Sequence, residues 1–169
     1  MIDDFIFREE PEPGDTELVG EMVEASGYFR HDEIEVAKEL VAERVARGLD
    51  SGYYFWLADD PEFGLAGYAC YGPIPCTVGC YDLFWIAVVE EFQGQGLGKK
   101  LVELCEKSIR FRGGRRVYVE TSGQSLYEAT RQFYLHCGYK KAATLNDFYD
   151  YGDDKVVFYR DLESGGKGL

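Results

Sequence analysis

From residue 32 to residue 47 the apolar side chains Ile34, Ala37, Leu40, Val41 and Val45 return at helical spacing among acids and bases, and Gly48 follows. That period gathers them on one stripe of an amphipathic helix, and a glycine just past the stripe suits its C-terminal turn. The same spacing recurs in Leu97, Leu101, Leu104, Cys105 and Ile109, stopped by Gly113-Gly114, and in Ala129, Phe133 and Cys137, stopped by Gly138. Ser125 and Glu128 have capping-box spacing at the head of the last of these helices. A further helix is predicted to end near Ser26, with Asp15 or Thr16 as its cap.

Between the helices lie runs rich in β-branched and aromatic residues, at 4–8, 53–58, 65–71, 81–89, 117–120, 139–144 and 156–161, which predict strands. The segment Asp59-Asp60-Pro61-Glu62-Phe63-Gly64 has turn composition and makes 53–58 and 65–71 an antiparallel hairpin. The run at 81–89 is almost continuously apolar, which predicts a strand buried on both faces. It leads through a glycine-rich segment into the helix beginning near Leu97 and then into the next strand, an order of strand, loop, helix, strand.

No linker divides the 169 residues, so a single domain over 1–169 is expected, with 163–169 as a mobile tail. No apolar run is long enough to span a bilayer, and Met1-Ile2-Asp3-Asp4 carries acid where a secretory signal needs base, so a soluble, cytoplasmic protein is expected. The five cysteines, an odd number in a chain too large to need staples, fit reduced thiols in that compartment. Cys76 and Cys80 lack knuckle spacing and a nearby histidine, and neither His31 nor His136 has a partner at ligand spacing, so no metal is expected. A formal charge of −13 repels phosphate backbones and anionic lipid, which argues against nucleic acid or membrane as the main partner and favours a cationic small substrate.

The chemistry gathers at Gln93-Gly94-Gln95-Gly96-Leu97-Gly98. A dinucleotide fingerprint needs a small residue three places after its second glycine, and Lys99 stands there. A triphosphate loop needs four residues between its glycine and Gly-Lys, followed by Ser or Thr; Gly94 and Gly98 enclose three, and Lys100 follows Lys99. What remains is Gln-x-x-Gly-x-Gly, whose backbone can approach an anion closely while the amides opening the next helix point at it. Lys99 is placed to add a positive charge to a pyrophosphate.

Gln93, Gly96 and Gly98 resemble motif A of the GNAT superfamily of N-acetyltransferases, and Phe133-Tyr134-Leu135-His136-Cys137-Gly138-Tyr139 looks like its motif B. The likeness covers residues 52–162; it departs where many members carry Asn and Ala and this chain has Tyr127 and Thr130. The resemblance implies an α/β fold with a central mixed, mostly antiparallel, twisted sheet of six to seven strands. About four helices would flank it, and splayed central strands would hold the acyl-CoA. It implies acetyl-CoA as co-substrate, pyrophosphate on Gln93, Gly94, Gln95, Gly96, Leu97, Gly98 and Lys99, and pantetheine along the backbone of Ile86, Ala87 and Val88, with an amide there polarising the thioester carbonyl.

Acetyl transfer to an amine needs that amine neutral; for an alkylamine of pKa about 10.4, deprotonation at pH 7 costs roughly 4.6 kcal/mol. A general base is therefore expected, and two carboxylates are placed for it. Asp82, eleven residues ahead of Gln93, holds a position that resembles the general-base glutamate of histone-type members; Glu120 ends the following strand. Both stay open at this point. Tyr134, by its counterpart's role in the family, would protonate the departing thiolate. Cys105 and Cys137 have apolar helical neighbours and make poor nucleophiles, so direct transfer to a primary amine of a small molecule, peptide or protein is expected. The competing class is a non-catalytic acyl-CoA sensor or interaction module on the same fold. A homodimer is the assembly expected from symmetry alone.

Overall fold

Helices and strands form where the two periodicities predict them. The computed structural model describes residues 1–162, and the predicted tail at 163–169 lies outside the described residues. In chain order the elements are β1 (Ile6–Arg8), α1 (Asp15–Ala25), α2 (His31–Arg47), β2 (Tyr54–Asp60), β3 (Gly64–Pro73), β4 (Cys80–Val88), α3 (Leu97–Phe111), β5 (Arg116–Ser122), α4 (Glu128–His136), β6 (Lys140–Asp150) and β7 (Asp153–Asp161). The strand order is β1-β2-β3-β4-β5-β7-β6. β4 runs parallel to β5, while β1 with β2, β2 with β3, β5 with β7 and β6 with β7 are antiparallel. The fold is thus the mixed, mostly antiparallel α/β sheet expected. The chain forms two compact units, and β4 and α3 each contribute to both.

The first unit comprises Met1–Gly72 and Phe84–Cys105. In the β2–β3 register Phe55 faces Cys70 and Leu57 faces Tyr68, so period-two alternation puts all four on one side of the sheet. α1 and α2 cover that side with Val19, Met22, Val23, Ala37 and Val41. Asp15 does not cap α1, whose N-cap is Gly14 with no side-chain cap bond. Its buried carboxylate instead accepts from the Arg8 guanidinium at 2.7 and 2.9 Å and from the Glu12 amide at 2.6 Å. Arg8 also donates to Asp59 on β2 at 2.6 Å, tying β1, β2 and the start of α1 together. Arg8→Met leaves Asp15 buried without its cation and is expected to lower unfolding stability by about 2 kcal/mol, measured as a shifted urea midpoint at unchanged slope.

The second unit comprises Pro73–Leu83 and the described residues from Glu106 onward. Its parallel ladder pairs Cys80 with Arg116, Tyr81 with Val117 and Asp82 with Tyr118. β5 and β7 pair from Arg116↔Asp161 to Ser122↔Lys155. One face of this pair carries the buried side chains Val117, Val119, Thr121, Val156 and Phe158; the other carries Tyr118, Glu120, Ser122, Lys155, Val157 and Tyr159. α4 rests on the buried face through Tyr134, whose ring lies 6.2 Å from that of Phe158 and 5.8 Å from that of Tyr139. Its C-terminus is held by Arg160, which donates to the Cys137 carbonyl at 2.7 Å and to both oxygens of the buried Glu106 at 3.1 Å.

Three further local expectations fail for physical reasons. The Ser125/Glu128 capping box does not form: Ser125–Tyr127 is a 3-10 turn, Tyr127 is the N-cap of α4, and Glu128 binds Arg131 and Gln132 on its own helix instead. β6 runs to Asp150, well past the predicted 144, because register shifts and a left-handed Asp147 (φ +51°) break the alternation from which a strand is read. β4 is not buried on both faces, since only Cys80 and Leu83 are buried along it. Apolar composition cannot separate a strand covered by protein from one that keeps an apolar surface accessible.

Candidate functional site

The glycine loop lies in the first unit, between the end of β4 and the start of α3. Gly94 and Gly96 have φ of +73° and +88°, a region that side chains rarely enter, which is why glycines stand there. A Cβ at Gly94 would meet nothing within 4 Å, whereas one at Gly96 would lie 3.0 Å from Ile2 Cδ1. The Gln93 Nε2 donates to the Val88 carbonyl at 2.9 Å, and Gln95 Nε2 donates to the Glu91 carbonyl at 2.9 Å. Both glutamines brace the loop. The Lys100 amide donates to the Gly96 carbonyl at 3.0 Å, so the amides of Leu97, Gly98 and Lys99 stand ahead of that helical bond and point along the axis. Leu97 anchors the turn in the core while Gly94, Gln95, Gly96 and Lys99 are exposed. Dipole and free amides together favour an anion here by about 0.3–1 kcal/mol.

Upstream, Ile86, Ala87 and Val88 are half-buried on β4. Phe84 lies edge-on to Tyr53 with ring centroids 5.8 Å apart, Trp85 lies 4.8 Å from Phe29, and Trp85 and Ala87, two residues apart, pack toward the α1–α2 side.

The carboxylates lie in the second unit. Asp82 is opposite Tyr118 on β5, so Asp82, Tyr118 and Glu120 share a face. Asp82 is half-buried and has no hydrogen-bond or ion-pair partner among the described residues. Burial, reinforced by the Glu120 charge and opposed by Lys155, pushes its pKa up from the usual carboxylate range to about 6. Glu120 is more exposed, and its Oε2 sits 2.6 Å from Lys155 Nζ. The sequence nominated both acids but left out Lys155, which lies one residue outside the predicted strand and carries no motif. Only the β5–β7 register reveals it. Tyr134 is on the opposite, buried face, packed against Phe133, Tyr139 and Phe158.

Among the described residues no helix is long and apolar enough to cross a membrane, and no group of three or more His, Cys, Asp or Glu could hold a metal ion. None of the five cysteines forms a disulfide.

Residues 17–139 match the model of the acetyltransferase (GNAT) family. A crystal structure of a Desulfovibrio desulfuricans chain assigned to the GNAT family superposes with a TM-score of 0.91 at 42% identity, over 94% of this chain and 99% of the other. The ribosomal-protein-S18-alanine N-acetyltransferase of Escherichia coli has the same fold, with a TM-score of 0.74 at 18% identity over 98% of each chain. An aminoglycoside 6'-N-acetyltransferase solved with coenzyme A gives 0.73 at 17% identity, over 92% of this chain and 96% of that one. No curated protein matches.

Proposed function

Because the chain belongs to the GNAT family of acetyltransferases, we propose that it carries an acetyl group directly from acetyl-CoA to a primary amine of a small molecule, peptide or protein, within one ternary complex. The observation that carries this reading is the pair of carboxylates in different states: Glu120 is held by Lys155, while Asp82 is half-buried, unpaired and raised in pKa. A carboxylate titrating near 6 is ionised at neutral pH yet basic enough to accept a proton, which suits a general base.

In the proposed mechanism Asp82 takes a proton from the acceptor ammonium, directly or through a water. The freed nitrogen lone pair attacks the acetyl carbonyl carbon, whose oxygen draws on a backbone amide in 86–88. The C–N bond forms, the C–S bond breaks, Tyr134 gives its phenolic proton to the leaving sulfur, and the second proton that the attacking nitrogen sheds restores the phenol. The amides of Gly94 to Lys99 hold the pyrophosphate of the donor, with Lys99 adding charge. The net charge of −13 favours a cationic acceptor. The S18-alanine and aminoglycoside enzymes of the same fold take amines, which agrees with an amine acceptor.

A thiol of pKa about 8.5 is already a fair leaving group at neutral pH, so the acid adds less than the base. Tyr134→Phe is accordingly expected to reduce kcat about tenfold with little change in the KM for acetyl-CoA. Steady-state kinetics at saturating acceptor would show it, and an unchanged kcat would remove Tyr134 from the mechanism.

A further inference from the structure

Lys155 is absent from both sequence motifs, yet it occupies the centre of the carboxylate face. Its Nζ is 2.6 Å from Glu120 and 4.2 Å from the centre of the Phe148 ring, and its side chain is only 14% exposed. We propose that Lys155 is a positioning residue for acetyl transfer: clamped between Glu120 and Phe148, it holds Glu120 in an ion pair and leaves Asp82 as the carboxylate that takes the proton. This rests on the reading of Asp82 as the base.

The clamp is built from local structure on three strands. Lys155 is on β7 opposite Ser122, one step along β5–β7 from Glu120, so the two side chains meet diagonally on one face. Phe148 reaches the lysine from β6, in the segment where the register breaks. There the Asp147 amide donates to the Asp154 carboxylate at 2.9 Å and the Gly152 amide donates to Asp147 at 2.7 Å, which holds the irregular turn that presents the ring. An aromatic face attracts a cation, so ring and carboxylate both hold the ammonium in place.

Several other charged or titratable groups near the face have partners of their own. On β5, Tyr118 accepts at its hydroxyl from Arg116, 3.2 Å away, and Arg116 also lies over the Tyr159 ring of β7 and binds Asp161. Asp153 accepts from the Ser122 hydroxyl at 2.5 Å, and Asp154 is bound by the Asp147 amide. That leaves Glu120 and Lys155 as the charges acting on Asp82, in opposite directions. Deleting the cation should raise the proton affinity of Asp82, and deleting the Glu120 charge should lower it.

The test is a 13C NMR titration of the Asp82 side-chain carboxyl, assigned by its loss in Asp82→Asn, in the wild type, Lys155→Met, Lys155→Arg and Glu120→Gln. The wild-type midpoint is expected near 6. In Lys155→Met it should rise by about one pH unit, in Lys155→Arg it should stay near the wild type, and in Glu120→Gln it should fall. A one-unit rise lowers the ionised fraction about twofold at pH 7 and about fivefold at pH 6, and turnover should fall in the same ratios. An unmoved midpoint in Lys155→Met, or an equal rise in Lys155→Arg, overturns the proposal. The underlying base assignment fails separately, through full turnover by Asp82→Asn, whatever the midpoints do.

Discussion

Replacing Asp82 by asparagine is expected to lower kcat/KM for the amine acceptor by about 10²–10⁴-fold, the range for loss of a general base. Asparagine has nearly the same shape, so the half-buried site keeps its packing while losing the proton acceptor. The pH profile carries the same information with a definite sign. A base works in its ionised form, and burial with the Glu120 charge raises the Asp82 pKa to about 6. Wild-type kcat/KM should therefore climb with pH through that value and level off above it, and that limb should be missing in Asp82→Asn. Glu120→Gln removes a charge that is already bound to Lys155 and should lower kcat less than tenfold. A larger loss for Glu120→Gln than for Asp82→Asn would exchange the two assignments.

Gly96→Val is expected to raise the KM for acetyl-CoA about 10- to 100-fold while acting on kcat much less. Two effects combine. A β-branched residue at φ +88° carries strain of about 1–3 kcal/mol, which the loop relieves by moving the amides that should hold the pyrophosphate. The new side chain also presses toward Ile2 Cδ1, 3.0 Å from its first carbon. Gly94→Ala is the matched control: its φ is also positive, but the added carbon meets nothing within 4 Å, so strain acts alone and the effect should be smaller. Calorimetric titration with coenzyme A separates binding from chemistry. Unchanged affinity in Gly96→Val would mean that the loop does not hold the donor.

The helices and most of the strands were legible because their apolar residues are periodic and their ends carry glycines, as at Gly48 and Gly138. The turn ahead of α3 was legible because Gly94 and Gly96 answer a backbone need, positive φ, that composition exposes directly. Asp82 and Glu120 could be nominated but not ranked, since the ranking proposed for them rests on a lysine brought in by the β5–β7 register and on a ring carried by an irregular stretch of β6. Such pairings are long-range, and no local pattern encodes them. The burial of β4 was misjudged for a related reason: hydrophobicity reports that a strand avoids water but not which surface covers it. Gln93 shows the reverse lesson, since it matches the motif yet braces the Val88 carbonyl.

Incubating the purified protein with acetyl-CoA and a panel of primary amines, while following free thiol and the mass of each amine, tests the central claim most directly. The expected result is thiol release that depends on the amine, matched by an equal amount of acetylated product, with velocity patterns that intersect when both substrates are varied. Tight acetyl-CoA binding with no turnover across a broad panel would contradict the account and leave an acyl-CoA sensor on the same fold.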